Sequence, residues 1–217
     1  MQVAVILSGC GNRDGSELQE TLSLLLALDR RDIRYQCFAP KTDFAVVDYL
    51  TGKGETGEKR SLFAEAARIA RGNILDLTEY RADNYDALCL PGGMGAARNL
   101  STYAFDGKNM QVMPEVERAI LDTHRQKKPV CAMCIAPIVL AKVLGPYGVR
   151  LTMGQHCEAS EVAESLGAHQ VDCQPIEVAV DKENRVITTP AYMVASRISE
   201  IFDGADNMVK ELCEMLR

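Results

Sequence analysis

Short apolar runs alternate along the whole chain with stretches in which apolar residues recur at helical spacing. The short runs have the length of buried strands, and they predict strands at residues 2–7, 34–39, 73–77, 85–90, 130–133 and 150–153, followed by a hairpin of 177–180 with 185–188. Helices are predicted at residues 17–30, 61–71, 114–127, 135–144 and 158–166, with two final helical segments split near Gly204. Residues 41–57 are polar and predict an excursion from the sheet. The alternation predicts one α/β domain over residues 1–217, a three-layer sandwich with a mostly parallel sheet.

Cys134 lies where a predicted strand passes directly into a predicted helix. Residues 130–133 are apolar, residues 135–144 are small and apolar, and no turn residues separate them. Pro137 suits the first turn of the helix, because its missing N–H would have no intrahelical partner there. A thiol at this junction has the position of a nucleophile elbow and faces a helix N-terminus, which favours the thiolate. The segment by itself is equally consistent with a buried cysteine at the end of a strand.

Two glycine-rich turns follow other predicted strands. The first, residues 8–15, leads to Ser16, which we expect to cap the helix of residues 17–30. The second, residues 91–95, follows the strand of residues 85–90 and opens a helix. Its tandem glycines expose backbone N–H groups that could stabilise an oxyanion, although a tight turn requiring positive φ is the simpler explanation of this loop taken alone.

The composition excludes some classes of function. The 217 residues carry 24 basic and 30 acidic side chains, a formal net charge of −6, and the basic residues are scattered. Such a surface repels phosphate backbones, so we expect no nucleic-acid partner. No apolar run approaches the roughly 20 residues of a membrane-spanning helix, and the first run lacks the basic flank of a secretory signal. We therefore expect no membrane partner either.

The chain contains eight cysteines without a repeating spacing. Cys37, Cys89 and Cys131 lie in strand-like runs, which is typical of reduced thiols in a protein core, so we predict a cytoplasmic location. Cys131 and Cys134 form a C-x-x-C pair with no second pair to complete a zinc site, and neither a metal nor another cofactor is expected. Because Cys131 should point away from the elbow, we interpret the pair as coincidental, with a redox dithiol as the alternative.

Four ordered motifs, spread over the whole chain, resemble those of the PfpI superfamily of class I glutamine amidotransferase-like proteins. They are S-G-C-G-x-x-D-G-S-E at residues 8–17, L-P-G-G-x-G-A-A-x-N-L-S at 90–101, M-C-I-A-P at 133–137 and T-T-P-A-Y-M at 188–193. Together they are similar to the ElbB branch, the "enhancing lycopene biosynthesis" or sigma cross-reacting proteins. The resemblance implies a flavodoxin-like fold with a cysteine nucleophile elbow, a homodimer, and a link to isoprenoid biosynthesis.

The resemblance also implies which residues act. Cys134 would be the nucleophile, Glu17 from the first helix its acid/base partner, and the backbone N–H groups of Gly93 and Ile135 the oxyanion site. We expect Glu17 to reach the elbow because the strands before the two residues should be neighbours at the carboxyl edge of the sheet. The alternative for Glu17 is a first-turn glutamate favoured by the helix dipole.

The activity implied by the resemblance is that of a glyoxalase. Members similar to this chain have been assigned the conversion of glyoxal-type dicarbonyls to hydroxy acids without glutathione or a metal. The chemistry suits the residues, because a thiolate adds to an aldehyde and a nearby carboxyl group can move a proton between adjacent carbons. The substrate would thus be a small reactive aldehyde such as glyoxal or methylglyoxal.

Departures from the superfamily argue against glutamine hydrolysis. A glutaminase needs a histidine and a carboxylate near the C-terminus, whereas this chain has T-P-A-Y at residues 189–192 and its last histidine is His169. His156 is a candidate helper, which an exposed loop position would explain equally well.

The main alternative to an enzyme is a redox sensor or stress-response binding protein. In that case a low-pKa thiol at Cys134 would be oxidised to a sulfinate. A third possibility, an interaction protein of isoprenoid metabolism, is neither supported nor excluded by the residues.

Overall fold

The computed structural model describes residues 1–52 and 54–217, so residue 53 of the predicted excursion lies outside the described residues. The strands are β1 (Gln2–Ile6), β2 (Arg34–Ala39), β3 (Asp43–Val47), β4 (Glu55–Ser61), β5 (Ile74–Asp76), β6 (Ala87–Leu90), β7 (Val130–Met133), β8 (Arg150–Leu151), β9 (His169–Gln170), β10 (Ala179–Asp181) and β11 (Val186–Thr189). The helices are α1 (Leu18–Asp29), α2 (Leu62–Ile69), α3 (Met94–Arg98), α4 (Tyr103–Asp106), α5 (Pro114–Arg125), α6 (Pro137–Leu144), α7 (Glu158–Ser165) and α8 (Ile198–Met215).

Seven strands form the central sheet, in the order β10-β11-β7-β6-β1-β2-β5. All neighbours are parallel except β10 and β11, which form the predicted hairpin. Every residue of β6 and β7 is at most 1% exposed, as expected for central strands that are covered on both faces. The predicted three-layer α/β sandwich with a mostly parallel sheet is confirmed, and it places the carboxyl ends of β1, β6 and β7 side by side.

The predicted excursion forms a ribbon beside the central sheet. Its strands β3 and β4 pair antiparallel with each other and not with the central sheet. The ribbon is attached to the first glycine-rich turn through Asp14, which is buried and accepts hydrogen bonds from the Val47 N–H and the Tyr49 hydroxyl, both at 2.9 Å. This attachment holds the turn against the rest of the fold.

Two predictions about helices are wrong. Gly204 does not split the C-terminal region, because α8 continues through it without interruption. A Cβ at Gly204 would lie only 3.0 Å from Thr189 Oγ1 and 3.1 Å from the Pro175 carbonyl oxygen, so the glycine allows close packing and not a break. Ser16 does not cap α1, since the N-cap residue is Glu17. The Ser16 hydroxyl is buried and instead accepts the backbone N–H of Ser8 at 2.8 Å.

The cysteines in the core are reduced. Cys131 on β7 is fully buried and lies directly opposite Cys89 on β6 in the strand register, away from the pocket that Cys134 faces. All eight cysteines are free. In the part of the chain that the structure describes, no helix is long and apolar enough to cross a membrane.

Asp181 should be needed for the stability of the β10–β11 hairpin. The residue is 4% exposed, and its carboxylate accepts backbone N–H groups of Arg150 at 2.8 Å, Asn184 at 3.0 Å and Glu183 at 3.1 Å. Burial acts to raise the pKa of Asp181, but these hydrogen bonds outweigh it and the pKa is lowered. A lowered carboxyl pKa stabilises the fold above the pKa of the unfolded chain, and this contribution is lost as the pH falls through the folded value.

We expect Asp181→Ala to lower the free energy of unfolding at pH 7 by about 1–3 kcal/mol, because three backbone N–H groups lose their charged acceptor. Urea unfolding at pH 7 measures the loss, and its repetition at pH 3 should give a smaller one. The exposed Glu183, in the same turn, provides the control Glu183→Ala, which should change the value little. Equal losses in the two variants would contradict the role of Asp181.

Candidate functional site

Cys134 lies at a sharp turn between β7 and α6. Its φ of +59° is unusual for a residue with a side chain, and its backbone N–H donates to the Thr189 carbonyl oxygen at 3.0 Å, which holds the turn against the end of β11. Such strained backbone is common at functional sites. The side chain is 8% exposed at the floor of a cleft. The structure thus places Cys134 at the predicted junction, in the backbone conformation of a nucleophile elbow.

Two backbone N–H groups are directed at the Cys134 sulfur, and they belong to Gly93 and Ile135. Ile135 follows the cysteine, whereas Gly93 comes from the loop after β6, where it has a φ of +100°. A Cβ at Gly93 would overlap the backbone at Gly15 and Glu17, so only glycine fits this close approach. The structure therefore brings together the two residues that the sequence predicted for an oxyanion site.

The carboxyl group that faces Cys134 belongs to Glu20. Glu20 is fully buried on α1, and its Oε1 accepts the backbone N–H of Tyr192 at 3.2 Å. Its Oε2 faces the Cys134 side chain and Gly92, and no described group makes a hydrogen bond of ordinary geometry to it. A Cβ at Gly92 would overlap both the Glu20 carboxyl and the Cys134 side chain, so this glycine is required for their contact.

Glu17, the residue predicted to pair with Cys134, lies in the wall of the same cleft but is not the carboxyl group that faces the thiol. It caps α1, and its Oε2 accepts the backbone N–H of Glu20 at 2.6 Å. The expectation that β1 and β7 are neighbours is wrong, because β6 lies between them. Glu20, in the first turn of α1, is the residue that faces the thiol.

The sequence contains a signal for Glu20 in the spacing of apolar residues along α1. The buried face of α1 includes Leu24 and Leu28, which are spaced four residues apart, and Glu20 precedes Leu24 by the same interval. A glutamate on the apolar face of a helix is costly to bury, so it indicates either a partner or a perturbed carboxyl group.

Burial dominates the electrostatics of the pair. It raises the pKa of the Glu20 carboxyl to about 7, against 4.5 for an exposed glutamate. Burial also raises the pKa of the Cys134 thiol, and the Glu20 carboxylate raises it further, whereas the N–H groups of Gly93 and Ile135 lower it. Two adjacent negative charges are unfavourable in this low-dielectric site, so near neutral pH the Cys134 thiol keeps its proton while the Glu20 carboxyl is partly ionised.

The raised pKa of Glu20 predicts a pH dependence of stability. The folded pKa of Glu20, about 7, lies above the 4.5 of an unfolded glutamate. Folding therefore favours the protonated form, and the stabilisation is complete below about pH 4.5 and is lost as the pH rises through 7. The difference corresponds to at most about 3 kcal/mol.

We expect the free energy of unfolding of the wild type, measured with urea, to fall as the pH rises through 7. The variant Glu20→Gln should show no such fall. Glu164→Gln, at an exposed position of α7, is the matched control and should behave as the wild type. An unchanged pH profile in Glu20→Gln would contradict the raised pKa.

The cleft above Cys134 has a volume of about 620 Å³. Its apolar lining includes Met94, Ile135 and Met193, and its polar lining consists of Asn12, Glu17, Gln19 and Tyr192. The Tyr192 hydroxyl donates to the Gln19 side chain, so one wall of the cleft links α1 to the turn after β11. The cleft is open to solvent and leads directly to the thiol.

His156 does not belong to this cleft. Its side chain is 65% exposed and its Nε2 lies 3.0 Å from Glu161 Oε1. The position where a glutaminase would need a histidine, residues 189–192, instead supplies the Thr189 carbonyl oxygen to Cys134 and the Tyr192 N–H to Glu20. Among the described residues, no cluster of three histidine, cysteine or acidic side chains could hold a metal ion.

The chain belongs to the DJ-1/PfpI family, whose model matches residues 13–195. Human glutamine amidotransferase-like class 1 domain-containing protein 3, mitochondrial, is 42% identical over 224 residues, covering 99% of this chain and 83% of the human protein. The ES1 protein, mitochondrial, of Danio rerio is 33% identical, over 98% of this chain and 85% of its own. Their names contradict the predicted cytoplasmic location. The prediction was wrong because reduced cysteines indicate a redox state and do not identify a compartment.

Two solved structures show the same fold. An isoprenoid biosynthesis protein with an amidotransferase-like domain from Ehrlichia chaffeensis superposes with a TM-score of 0.93 at 34% identity, over the full length of both chains. Glyoxalase III from Candida albicans superposes with a TM-score of 0.65 at 14% identity, over 99% of this chain and 97% of the other. At that identity the second likeness concerns the fold alone.

Proposed function

We propose that the protein is a glutathione-independent glyoxalase that converts glyoxal- or methylglyoxal-type aldehydes to hydroxy acids. The observation that carries the proposal is the fully buried Glu20 carboxyl, with a pKa of about 7, facing the Cys134 thiol at the floor of an open cleft. A general acid/base works best when its pKa lies near the operating pH. A purely structural glutamate would instead be expected to have all its buried oxygen atoms hydrogen-bonded.

The reaction begins with the thiol. As Sγ bonds to the aldehyde carbon, the thiol proton passes to the Glu20 carboxylate and from there to the aldehyde oxygen, which gives a hemithioacetal. The N–H groups of Gly93 and Ile135 lie beside the sulfur, where they stabilise first the thiolate and then the developing oxyanion.

Glu20 then acts on carbon. It removes the proton from the hemithioacetal carbon and returns it to the neighbouring carbon through an enediol, which leaves a hydroxy thioester on Cys134. Water cleaves the thioester, releases the hydroxy acid and restores the thiol. One carbon is oxidised and its neighbour reduced, so the balance is one aldehyde plus one water and requires no external oxidant, reductant or cofactor.

In this proposal Glu20 takes the role that the sequence suggested for Glu17. Glu17 already accepts N–H groups of its own helix, whereas the Glu20 carboxyl is the one that acts on the thiol. His156 receives no role, since it is engaged with Glu161 at the surface.

We also propose that the chain belongs to the ElbB branch and has a link to isoprenoid biosynthesis. The four motifs of residues 8–17, 90–101, 133–137 and 188–193 support the branch. The similarity to the Ehrlichia chaffeensis protein, which is named for isoprenoid biosynthesis, supports the link.

Lactate formation from methylglyoxal in the absence of glutathione tests the activity. Purified wild-type protein should produce lactate in proportion to enzyme concentration and above the rate of an equal concentration of a free thiol. Production no faster than the free thiol would reject the glyoxalase.

The second candidate function is a redox sensor, which the direct access from the open cleft to Cys134 favours and the raised pKa of the Cys134 thiol opposes. Titration with peroxide, followed by intact-mass measurement, distinguishes the two. A sensor must form the sulfinate at Cys134 far faster than a bulk thiol is oxidised, whereas an enzyme has no such requirement.

We propose a homodimer as the assembly. Leu18, Leu22 and Leu26 form an apolar stripe on α1 in which each side chain is at least 41% exposed. Such stripes mark contact surfaces. Light scattering should give the mass of a dimer for the wild type, and Leu22→Glu should give a monomer. A monomeric wild type would contradict the proposal.

A further inference from the structure

The cleft lacks the positive charge that is expected of a binding site for anionic metabolites. None of the described residues that line the cleft is a lysine, arginine or histidine, and Glu17 is an acidic residue in its wall. A carboxylate or phosphate on a substrate would therefore meet a like charge and no compensating cation.

The N-terminus of α1 would ordinarily offset this charge. The first N–H groups of a helix point outward without intrahelical partners and attract anions. In this protein the N–H groups of Leu18, Gln19 and Glu20 are directed at the Glu17 carboxylate. The place that could bind a substrate's anionic group is thus already occupied by the protein's own carboxylate.

The size and lining of the cleft point to a particular kind of substituent. Its volume of about 620 Å³ lies within the range of about 300–1,000 Å³ that is typical of clefts for drug-sized ligands. Methylglyoxal, with three carbons, would leave most of this space to water. The side chains of Met94, Ile135 and Met193 instead provide an apolar surface, and methionine adapts to ligands of irregular shape.

We propose that the cleft selects uncharged α-oxoaldehydes that carry a large apolar substituent and rejects anionic ones, with Glu17 as the specificity-determining residue. The inference rests on the proposed function, because it names the substrate class of the same site. It assigns to Glu17 an electrostatic role in selection, separate from the proton transfer that we ascribe to Glu20.

Turnover of matched substrates tests the selection. Phenylglyoxal should have a kcat/KM at least about tenfold above that of methylglyoxal, and at least about tenfold above that of 4-carboxyphenylglyoxal, which differs from it only by a carboxylate. In Glu17→Gln the preference for phenylglyoxal over its carboxylate analogue should shrink severalfold. Glu17→Asp, which retains both the charge and a helix cap, should preserve the preference. Equal kcat/KM values for the two aromatic substrates in the wild type would overturn the proposal.

Alkylation of Cys134 tests the same charge without requiring turnover. Iodoacetamide is neutral and iodoacetate is anionic, and the two place groups of similar size on a thiol. The ratio of their rates at Cys134, followed by mass spectrometry of the peptide, should exceed the ratio for N-acetylcysteine by about tenfold or more. Glu17→Gln should bring the ratio towards that of the free thiol, and the control Glu164→Gln should not.

The two experiments separate the possible failures. High alkylation selectivity without aldehyde turnover would reject the glyoxalase and leave the electrostatic role of Glu17 standing. The opposite result is turnover of phenylglyoxal with an alkylation-rate ratio at Cys134 that equals that of the free thiol and does not change in Glu17→Gln. This result would support the glyoxalase and overturn the role of Glu17.

Discussion

Replacing Cys134 by serine is expected to reduce lactate formation from methylglyoxal by at least about a thousandfold, to the rate of the uncatalysed reaction. A serine hydroxyl is far less acidic than a thiol, and the N–H groups of Gly93 and Ile135 would not suffice to ionise it. Serine tolerates the backbone as well as cysteine does, so the change should leave the fold intact. Far-UV circular dichroism and thermal unfolding, measured alongside the rate, show whether the fold is intact.

Cys157→Ser is the matched control for this prediction. Cys157 is half-buried at the N-cap of α7, outside the cleft, and serine is a preferred residue at that position of a helix. The variant should retain full turnover. Substantial activity in a folded Cys134→Ser variant would show that another group carries out the chemistry.

Glu20→Gln is expected to lower kcat for methylglyoxal by at least about a hundredfold, the contribution typical of a positioned general acid/base. The amide has nearly the same shape and can still accept the Tyr192 N–H, but it cannot carry the proton between the two carbons. Steady-state lactate formation measures the loss, and single-turnover measurements should show that hemithioacetal formation is slowed as well, because Glu20 also carries the proton in that step.

Glu17→Gln is the comparison that assigns the acid/base role between the two glutamates. Because Glu17 accepts N–H groups of α1 and its removal leaves the Glu20–Cys134 contact in place, the loss in kcat should be at least tenfold smaller than in Glu20→Gln. The reverse order would return the role to Glu17, as the sequence suggested.

Local patterns were sufficient for most of the elements because each depends on residues close in the chain. The apolar runs of β1, β2 and β7 have the predicted lengths to within one residue, and Pro137 begins α6 as its missing N–H requires. The predicted split at Gly204 was wrong because it depends on residues that are far apart in the chain. Whether a glycine interrupts a helix or allows close packing depends on Thr189 and Pro175, which are distant in sequence.

The choice between Glu17 and Glu20 likewise depends on contacts between residues that are distant in sequence. Glu17 is the N-cap of α1 and Glu20 lies in its first turn, and the motif of residues 8–17 contains only Glu17. Which of the two faces the thiol depends on how α1 is oriented towards the elbow in the folded chain, and no local pattern specifies that orientation.

The sequence by itself determined the class of the fold, the elbow at Cys134, the two glycine-rich loops and the absence of a glutaminase triad. These depend on periodicity, on turn chemistry and on which residue types are present. The tertiary structure alone decided that Glu20 is the carboxyl beside the thiol and that Glu17 closes the N-terminus of α1 at the wall of the cleft. The physical reason is that desolvation and contact between charged groups depend on distances across the sheet, which no local pattern encodes.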